Sequence, residues 1–521
     1  NTETILGSSV GNDRLIGLNA DARWDVNGSN IYTAIQPIDF TGTENDHTAR
    51  RLVATTTVAL VTVDTSGLET LNFAGFEILQ GGSANDVFIF TDTQANSIFG
   101  GGDVDYFLFN DAATLIAGLS GANGDIDGQG GHNTLDFVNY TSARAIVLTA
   151  LGGTDGFDGT EAAIAGGFRN IDEIAGGSAI DSLTGLSTDS TWNLNVFPAF
   201  SQYISGNMLT FVQMDTLIGL GGADTFNFAD TFALTGYVNG NGGDDTLNFT
   251  AYKTARDFTL TNLGDVDGFN GTVNGIAGGF SNINVVVGGS ALDSLTGLDA
   301  DSDWNITASK TGDYVSTNPL AFSDVDYLYA GSATDLINYS AYTTPVTVDL
   351  STNTATGFTN IYGMNNITGG SVDDTLIGDN SANVITGLGG NDTMTGLKGD
   401  DAYVFGDDWG TNDIVVEVAG GGTDTFDFST ATANLTASIA TTGITVSDGT
   451  NQMSYAGGLV EKLTGGAGDD TFHVDDGATL IGLLDGSSGD DAISYAGNAL
   501  ARTVTLDDLG TMDGFKGSAS G

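Results

Sequence analysis

The chain holds 521 residues with a formal net charge of −53, no cysteine, and 40% hydrophobic residues that include 28 Phe. That charge excludes nucleic acid as a partner, because polyanions repel one another. The lack of cysteine excludes a disulfide framework, and the apolar content excludes a disordered acidic tail.

Only eight of the 66 acidic residues are Glu, so the acid is concentrated in Asp, which favours turns over helices. Gly, at 77 residues, is roughly twice its ordinary share, while Pro is scarce at 4. Val, Ile, Thr and Phe are abundant and point to strands. No apolar run is long enough for a membrane-spanning helix. The chain opens at Asn1 without a signal-like segment and reads as an excerpt of something longer.

In chain order, SSVGNDRLIGLNADARW (8–24) comes first, followed by the apolar run VATTTVALVTV (53–63), which reads as a buried strand between turns rather than a ligand face. Glycine-led nonapeptides then recur: GGSANDVFI at Gly81, GGGDVDYFL at Gly100, GQGGHNTLD at Gly128 and GGSAIDSLT at Gly176. GLGGADTFN at Gly219, GNGGDDTLN at Gly240 and GGSALDSLT at Gly288 continue the series. Their sixth positions are Asp86, Asp105, Asn133, Asp181, Asp224, Asp245 and Asp293.

Residues 369–404 are four such nonapeptides in one register, GGSVDDTLI GDNSANVIT GLGGNDTMT GLKGDDAYV. They open at Gly369, Gly378, Gly387 and Gly396 and place Asp374, Asn383, Asp392 and Asp401 sixth. Leu376, Ile385, Met394 and Tyr403 stand eighth, directed to a shared core. Two later copies, GGAGDDTFH and GSSGDDAIS, carry Asp470 and Asp491. A nine-residue period with a Gly-rich acidic half and a β-prone half describes turn, strand, turn, strand. Glycine permits a left-handed backbone that lets carbonyls converge, and Asp adds a hard anionic oxygen. Hard oxygens without Cys or His suit calcium rather than zinc. An isolated copy also reads as a glycine-rich turn that binds nothing.

A longer repeat lies over this one. Residues 135–192 align without a gap on 247–304, an offset of 112, placing Trp192 on Trp304, Arg144 on Arg256 and Asp181 on Asp293. Residues 8–24 repeat the end of that block, with Trp24 over Trp192. Residues 501–517 repeat its middle, with Arg502 over Arg256, and a shortened copy lies at 337–370. The units are 1–168, 169–280, a shortened 281–358, and 359–521, which contains the block 369–404. Turn signals about every 20 residues suit one coil of a parallel β-solenoid. The expected fold is all-β, a parallel β-solenoid with an embedded nonapeptide β-roll. Tandem antiparallel β-sandwich repeats are the alternative. The aligned tryptophans read as core plugs rather than sugar platforms, and the aligned arginines as coil-holding partners of a nearby Asp.

The four in-phase nonapeptides resemble the haemolysin-type repeats of the RTX family, whose consensus is GGxGxDxUx with U large and apolar. The resemblance implies several Ca2+ ions bound in the turns. The candidate ligands are Asp374, Asp392, Asp401 and Asn383, with Gly369, Gly387 and Gly396 from the block. Outside it stand Asp470, Asp491, Asp224, Asp245, Asp86, Asp105, Asp181 and Asp293. Alternate nonapeptides face each other, so Asp374 is expected to share an ion with Asp392, and Asn383 with Asp401. The resemblance also implies an extracellular or cell-surface protein of a Gram-negative bacterium, exported by type I secretion.

Catalysis is not expected. His47, His132 and His473 share no motif, and 13 Lys and Arg are too few for a polyuronate-binding cleft. The expected function is a calcium-binding structural or adhesive repeat protein, forming or extending a surface fibre, filament or adhesin stalk. Its expected partners are identical or continuing units end to end, and surface or matrix polysaccharide, without membrane insertion. The alternatives are a secreted β-solenoid enzyme acting on polysaccharide, or a sugar- or ice-binding module.

Overall fold

The computed structural model describes residues 4–6, 13–27, 30–34, 53–54, 57–58, 70–74, 76–118, 122–195, 200–418, 420–457, 461–478, 480, 482–510 and 514–520. Most of the apolar run 53–63 and all of His47's surroundings therefore lie outside the described residues. Every regular element among those described is a β-strand. The strands are short because Gly and Asp recur at intervals too close for anything longer.

Two compact units emerge, residues 1–256 with 262–291, and residues 257–261 with 292–521. In the first, Ala22–Val26 pairs in parallel with Asp86–Phe90, which pairs with Tyr106–Phe109, then Thr134–Asp136, then Glu173–Ala175. A second row runs in parallel through Arg14–Ile16, Ile78–Gln80, Ser97–Gly101, Ile126–Gln129 and Ile164–Ile171. The chain thus alternates between rows, and each pass covers the apolar face of the last.

Three-stranded antiparallel meanders interrupt this regular stacking. Ala145–Leu151, Phe157–Glu161 and Ile164–Ile171 form one; its third strand pairs with the preceding row and its first with Ser182–Thr184 ahead. Ser190–Leu194, Ser201–Ser205 and Asn207–Val212 repeat the arrangement. A coil is therefore not uniformly about 20 residues. The spacing is 19 residues from Asp86 to Asp105, and 39 from Asn133 to Asp172, across the first meander.

The second unit follows the same plan. Ser302–Ala308 starts a parallel row through Asp335–Asn338, Asn366–Thr368, Val384–Thr386, Ala402–Val404, Thr425–Asp427, Lys462–Thr464 and Leu483–Asp485. Opposite it run Thr347–Asp349, Thr375–Ile377, Thr393–Thr395, Asp413–Val416 and Gln452–Tyr455. In the nonapeptide block each strand pairs with the strand two repeats on, Leu376 beside Met394 and Ile385 beside Tyr403. All four of these side chains are fully buried. Each contributes about 1.5–3 kcal/mol by burial, so a three-residue strand holds only through its neighbours.

The core between rows is strongly aromatic. Trp24, Phe88 and Phe107 stack in series, with centroids 5.4 and 5.3 Å apart, as do Phe90, Phe109 and Phe137. The repeat places Trp24, Trp192 and Trp304 against Tyr32, Tyr203 and Tyr314, and the Tyr hydroxyls accept the N–H groups of Leu18, Leu186 and Leu298. All three tryptophans are fully buried, which leaves no face for sugar.

Of the aligned arginines, Arg502 has the expected Asp partner, and Arg144 and Arg256 share a different one. Arg144 lies 4.4 Å over Tyr140 and pairs with Glu161, and Arg256 lies 4.3 Å over Tyr252 and bonds to the Asn274 carbonyl. The partner shared by Arg144 and Arg256 is an aromatic ring four residues earlier, because a planar guanidinium stacks where it also finds acceptors. Arg502 pairs with Asp476 and lies over Tyr495.

Candidate metal centre in a ladder of buried carboxylates

Each nonapeptide turn folds its sixth residue back beneath its own opening glycine. The Gly370 N–H donates to Asp374 Oδ2 at 2.5 Å, and the Gly466 N–H to Asp470 Oδ2 at 2.7 Å. A Cβ on Gly369 would stand 2.6 Å from Asp374 Oδ2, and one on Gly387 or Gly396 would collide with Asp392 or Asp401. These opening glycines are thus demanded by close approach. The left-handed backbone expected of the turn glycines is found at Gly390 and Gly399, and also at Leu388 and Leu397.

The other carboxylate oxygen joins one coil to the next. The Asp374 N–H donates to Asp392 Oδ1 at 2.8 Å, and the Asp392 N–H to Asp413 Oδ1 at 2.9 Å. Alongside, Asn383 donates to Asp401, Asp401 to Asp424 and Asp424 to Glu461, at 2.8, 3.1 and 3.0 Å. The isolated copies follow the same rule: Asp86 to Asp105, Asp105 to Asn133, Asp181 to Asp215, Asp224 to Asp245, Asp293 to Asp326 and Asp470 to Asp491. The expected neighbours Asp374 and Asp392 are brought together, as are Asn383 and Asp401. Asp491 differs from the rest in being exposed.

These carboxylates carry an electrostatic burden. Asp86, Asp105, Asp181, Asp224, Asp245, Asp293 and Asp392 are fully buried. Burial pushes Asp392 up to about 8 and Asp105 up to about 9, with neighbouring carboxylates adding to both. Asp86 and Asp224 are pushed to about 7 and Asp245 and Asp401 to about 6, chiefly by burial. The Oδ2 atoms of Asp105, Asp224, Asp245, Asp335, Asp392 and Asp401 are buried without a hydrogen-bond partner. An unsatisfied buried oxygen calls for a ligand or a proton.

A hard cation fits this donor set. The Gly387 carbonyl oxygen lies 2.7 Å from the same point beside Gly369 that Asp374 Oδ2 approaches, so carboxylate and carbonyl converge. The Gly486 carbonyl stands likewise beside Gly465, and the Gly240 carbonyl beside Gly219. All are oxygens, the ligand type that calcium takes in sets of six to eight.

Several members of the ladder lack the nonapeptide and escaped the sequence reading: Asp172, Asp215, Asp326, Asp335, Asp413, Asp424 and Glu461. A shorter signal finds them. Each stands two residues before a buried apolar side chain, respectively Ile174, Leu217, Leu328, Ile337, Val415, Phe426 and Leu463. Of the histidines, His132 lies 3.4 Å from Glu173 and His473 lies on Thr471–Val474. No protein-family model matches the chain, and no curated protein matches it.

Proposed function

We propose that this chain is a calcium-binding extracellular structural repeat protein of the RTX type, a parallel β-solenoid whose coils are locked by calcium and which forms or extends a surface fibre, filament or adhesin stalk. The observation that carries this reading is the run of buried, mutually adjacent carboxylates in which the second oxygens of Asp105, Asp224, Asp245, Asp335, Asp392 and Asp401 have no hydrogen-bond partner. With 66 Asp and Glu against 13 Lys and Arg, most of the acid has no protein counter-charge. Divalent cations supply it, and their binding energy becomes folding energy. The parallel rows and the pairing of each nonapeptide with the second one on support the solenoid. The chain acts by assembly and recognition of units end to end and of surface polysaccharide, not by catalysis.

In a calcium-poor cytosol self-repulsion keeps such a chain extended and exportable by type I secretion. Outside a Gram-negative cell, millimolar calcium meets extracellular-type sites whose dissociation constants are on the order of 10⁻⁴–10⁻³ M. The test is a calcium titration of metal-free protein followed by calorimetry and far-ultraviolet circular dichroism. Several equivalents bound with a gain in β signal are expected. Absence of binding at 10 mM calcium, on the order of ten times such a constant, overturns the proposal.

A further inference from the structure

Gly369, Gly378, Gly219 and Gly465 share one arrangement. Beside each stands the carbonyl oxygen of the glycine that opens the next coil, Gly387, Gly396, Gly240 and Gly486, between 2.6 and 2.9 Å from where a Cβ would be. Gly396 departs from it. There Glu417 Oε1 stands 2.7 Å from that point, no carbonyl lies nearer, and Asp401 Oδ2 approaches the same point. A side-chain carboxyl thus stands where the other turns present a backbone dipole.

Glu417 follows the strand Asp413–Val416 and belongs to no nonapeptide. Its position is fixed: the Tyr403 hydroxyl donates to Oε1 and itself accepts the Gly396 N–H at 2.6 Å. Asp401 is 1% exposed; its Oδ1 receives the Asn383 N–H, while its Oδ2 has no partner. Asp424 receives the Asp401 N–H, and one oxygen from each of Asp401, Glu417 and Asp424 lies within 4.8 Å of the others.

We infer that Asp401, Glu417 and Asp424 form a three-carboxylate site for calcium, separate from the carbonyl-capped turns and tighter than they are. The inference rests on the reading of the ladder as calcium-binding. Affinity for this ion rises with the number of charged ligands, and its tolerance of irregular oxygen geometry suits ligands drawn from two successive turns, Asp401 from one and Glu417 with Asp424 from the next, where magnesium would demand an octahedron. The orphaned Oδ2 of Asp401 is the second, independent sign of a ligand, since a buried carboxylate oxygen without a partner is costly.

Titration of the full chain with calcium by calorimetry, and with terbium by emission excited through tyrosine, tests the site. E417Q keeps the side-chain shape and the bond to Tyr403 but removes the charge. It is expected to weaken the tightest calcium step by about tenfold or more and to cut tyrosine-sensitised terbium emission, whereas D392N leaves that step intact and weakens only the looser class. Wild-type protein that binds several ions, with E417Q indistinguishable from it, overturns the three-carboxylate site and leaves the ladder standing. Wild-type protein that binds none overturns both, and leaves Glu417 and Tyr403 as a protonated acid–phenol pair. Should E417Q fail to fold by circular dichroism, Y403F replaces it. That variant retains all three carboxylates and removes the nearest tyrosine sensitiser, so it must still bind terbium and lose at least half of the sensitised emission; an unchanged emission overturns the site.

Discussion

At the scale of single residues, the opening glycine and the sixth-position Asp form one device. Gly387→Ala places a methyl group against Asp392, and we expect a loss of about 1–3 kcal/mol in denaturant unfolding, the usual cost of overpacking. Asp392 and Asn383 occupy equivalent positions on opposite rows, but only Asp392 can ionise to give a metal an anionic oxygen. Asp392→Ala is therefore expected to cost more calcium affinity than Asn383→Ala; equal losses by calorimetry would remove the pairing of Asp374 with Asp392 as a shared site. These residues were legible because glycine and Asp repeat at a fixed distance. Asp413, Asp424 and Glu461 were not, because the turns before them are shortened or rebuilt while the hydrogen bond to the previous coil survives. What persists is an acid two residues before a buried side chain, a pattern too short to stand out before the pairing of strands is known.

At the scale of elements, the nonapeptide strands were readable and the meanders were not. Alternation of inward and outward side chains has the same period in parallel and antiparallel strands, so DFTLTN and DTLNFT look alike in sequence although the former leads directly into the antiparallel pair Phe269–Val273 and Ile276–Ile283, while the latter pairs in parallel on both sides. The aligned tryptophans could be placed in the core, yet nothing in their spacing showed the Tyr that closes over each one, since Tyr32, Tyr203 and Tyr314 lie in the following strands at differing distances from Trp24, Trp192 and Trp304. Within the nonapeptide block a strand has three residues and one inward side chain. Ile385→Ala should accordingly cost about 2–5 kcal/mol, and hydrogen exchange should rise in Val384–Thr386 and in its partner Ala402–Val404 before it rises elsewhere.

At the scale of the whole molecule, the buried acids set the response to pH. Asp392 and Asp105 titrate near 8 and 9 when folded, against an ordinary value of 3.8. Between those limits the folded chain holds protons that the unfolded chain has released, so metal-free stability falls as pH rises. We expect the urea midpoint of calcium-free protein to be highest near pH 4–5 and to decline steadily to pH 8. Calcium added at pH 8 should restore it while releasing protons. A metal-free midpoint that climbs with pH would contradict the burial of these carboxylates.

The bond from each Asp N–H to the carboxylate of the following coil points one way along the chain. Asp374 is held by Asp392, and Asp392 by Asp413; none of these bonds runs backward. The ladder is therefore a ratchet rather than a zipper, in which a coil is latched only by the arrival of its successor. Cutting the chain after a given coil unlatches the coil that remains at the cut, whereas cutting before it removes a coil and unlatches nothing downstream. Stepwise truncations from the two ends should thus differ in kind. Those from the C-terminal side free the amide of a buried Asp at every step, and those from the N-terminal side leave every remaining latch closed.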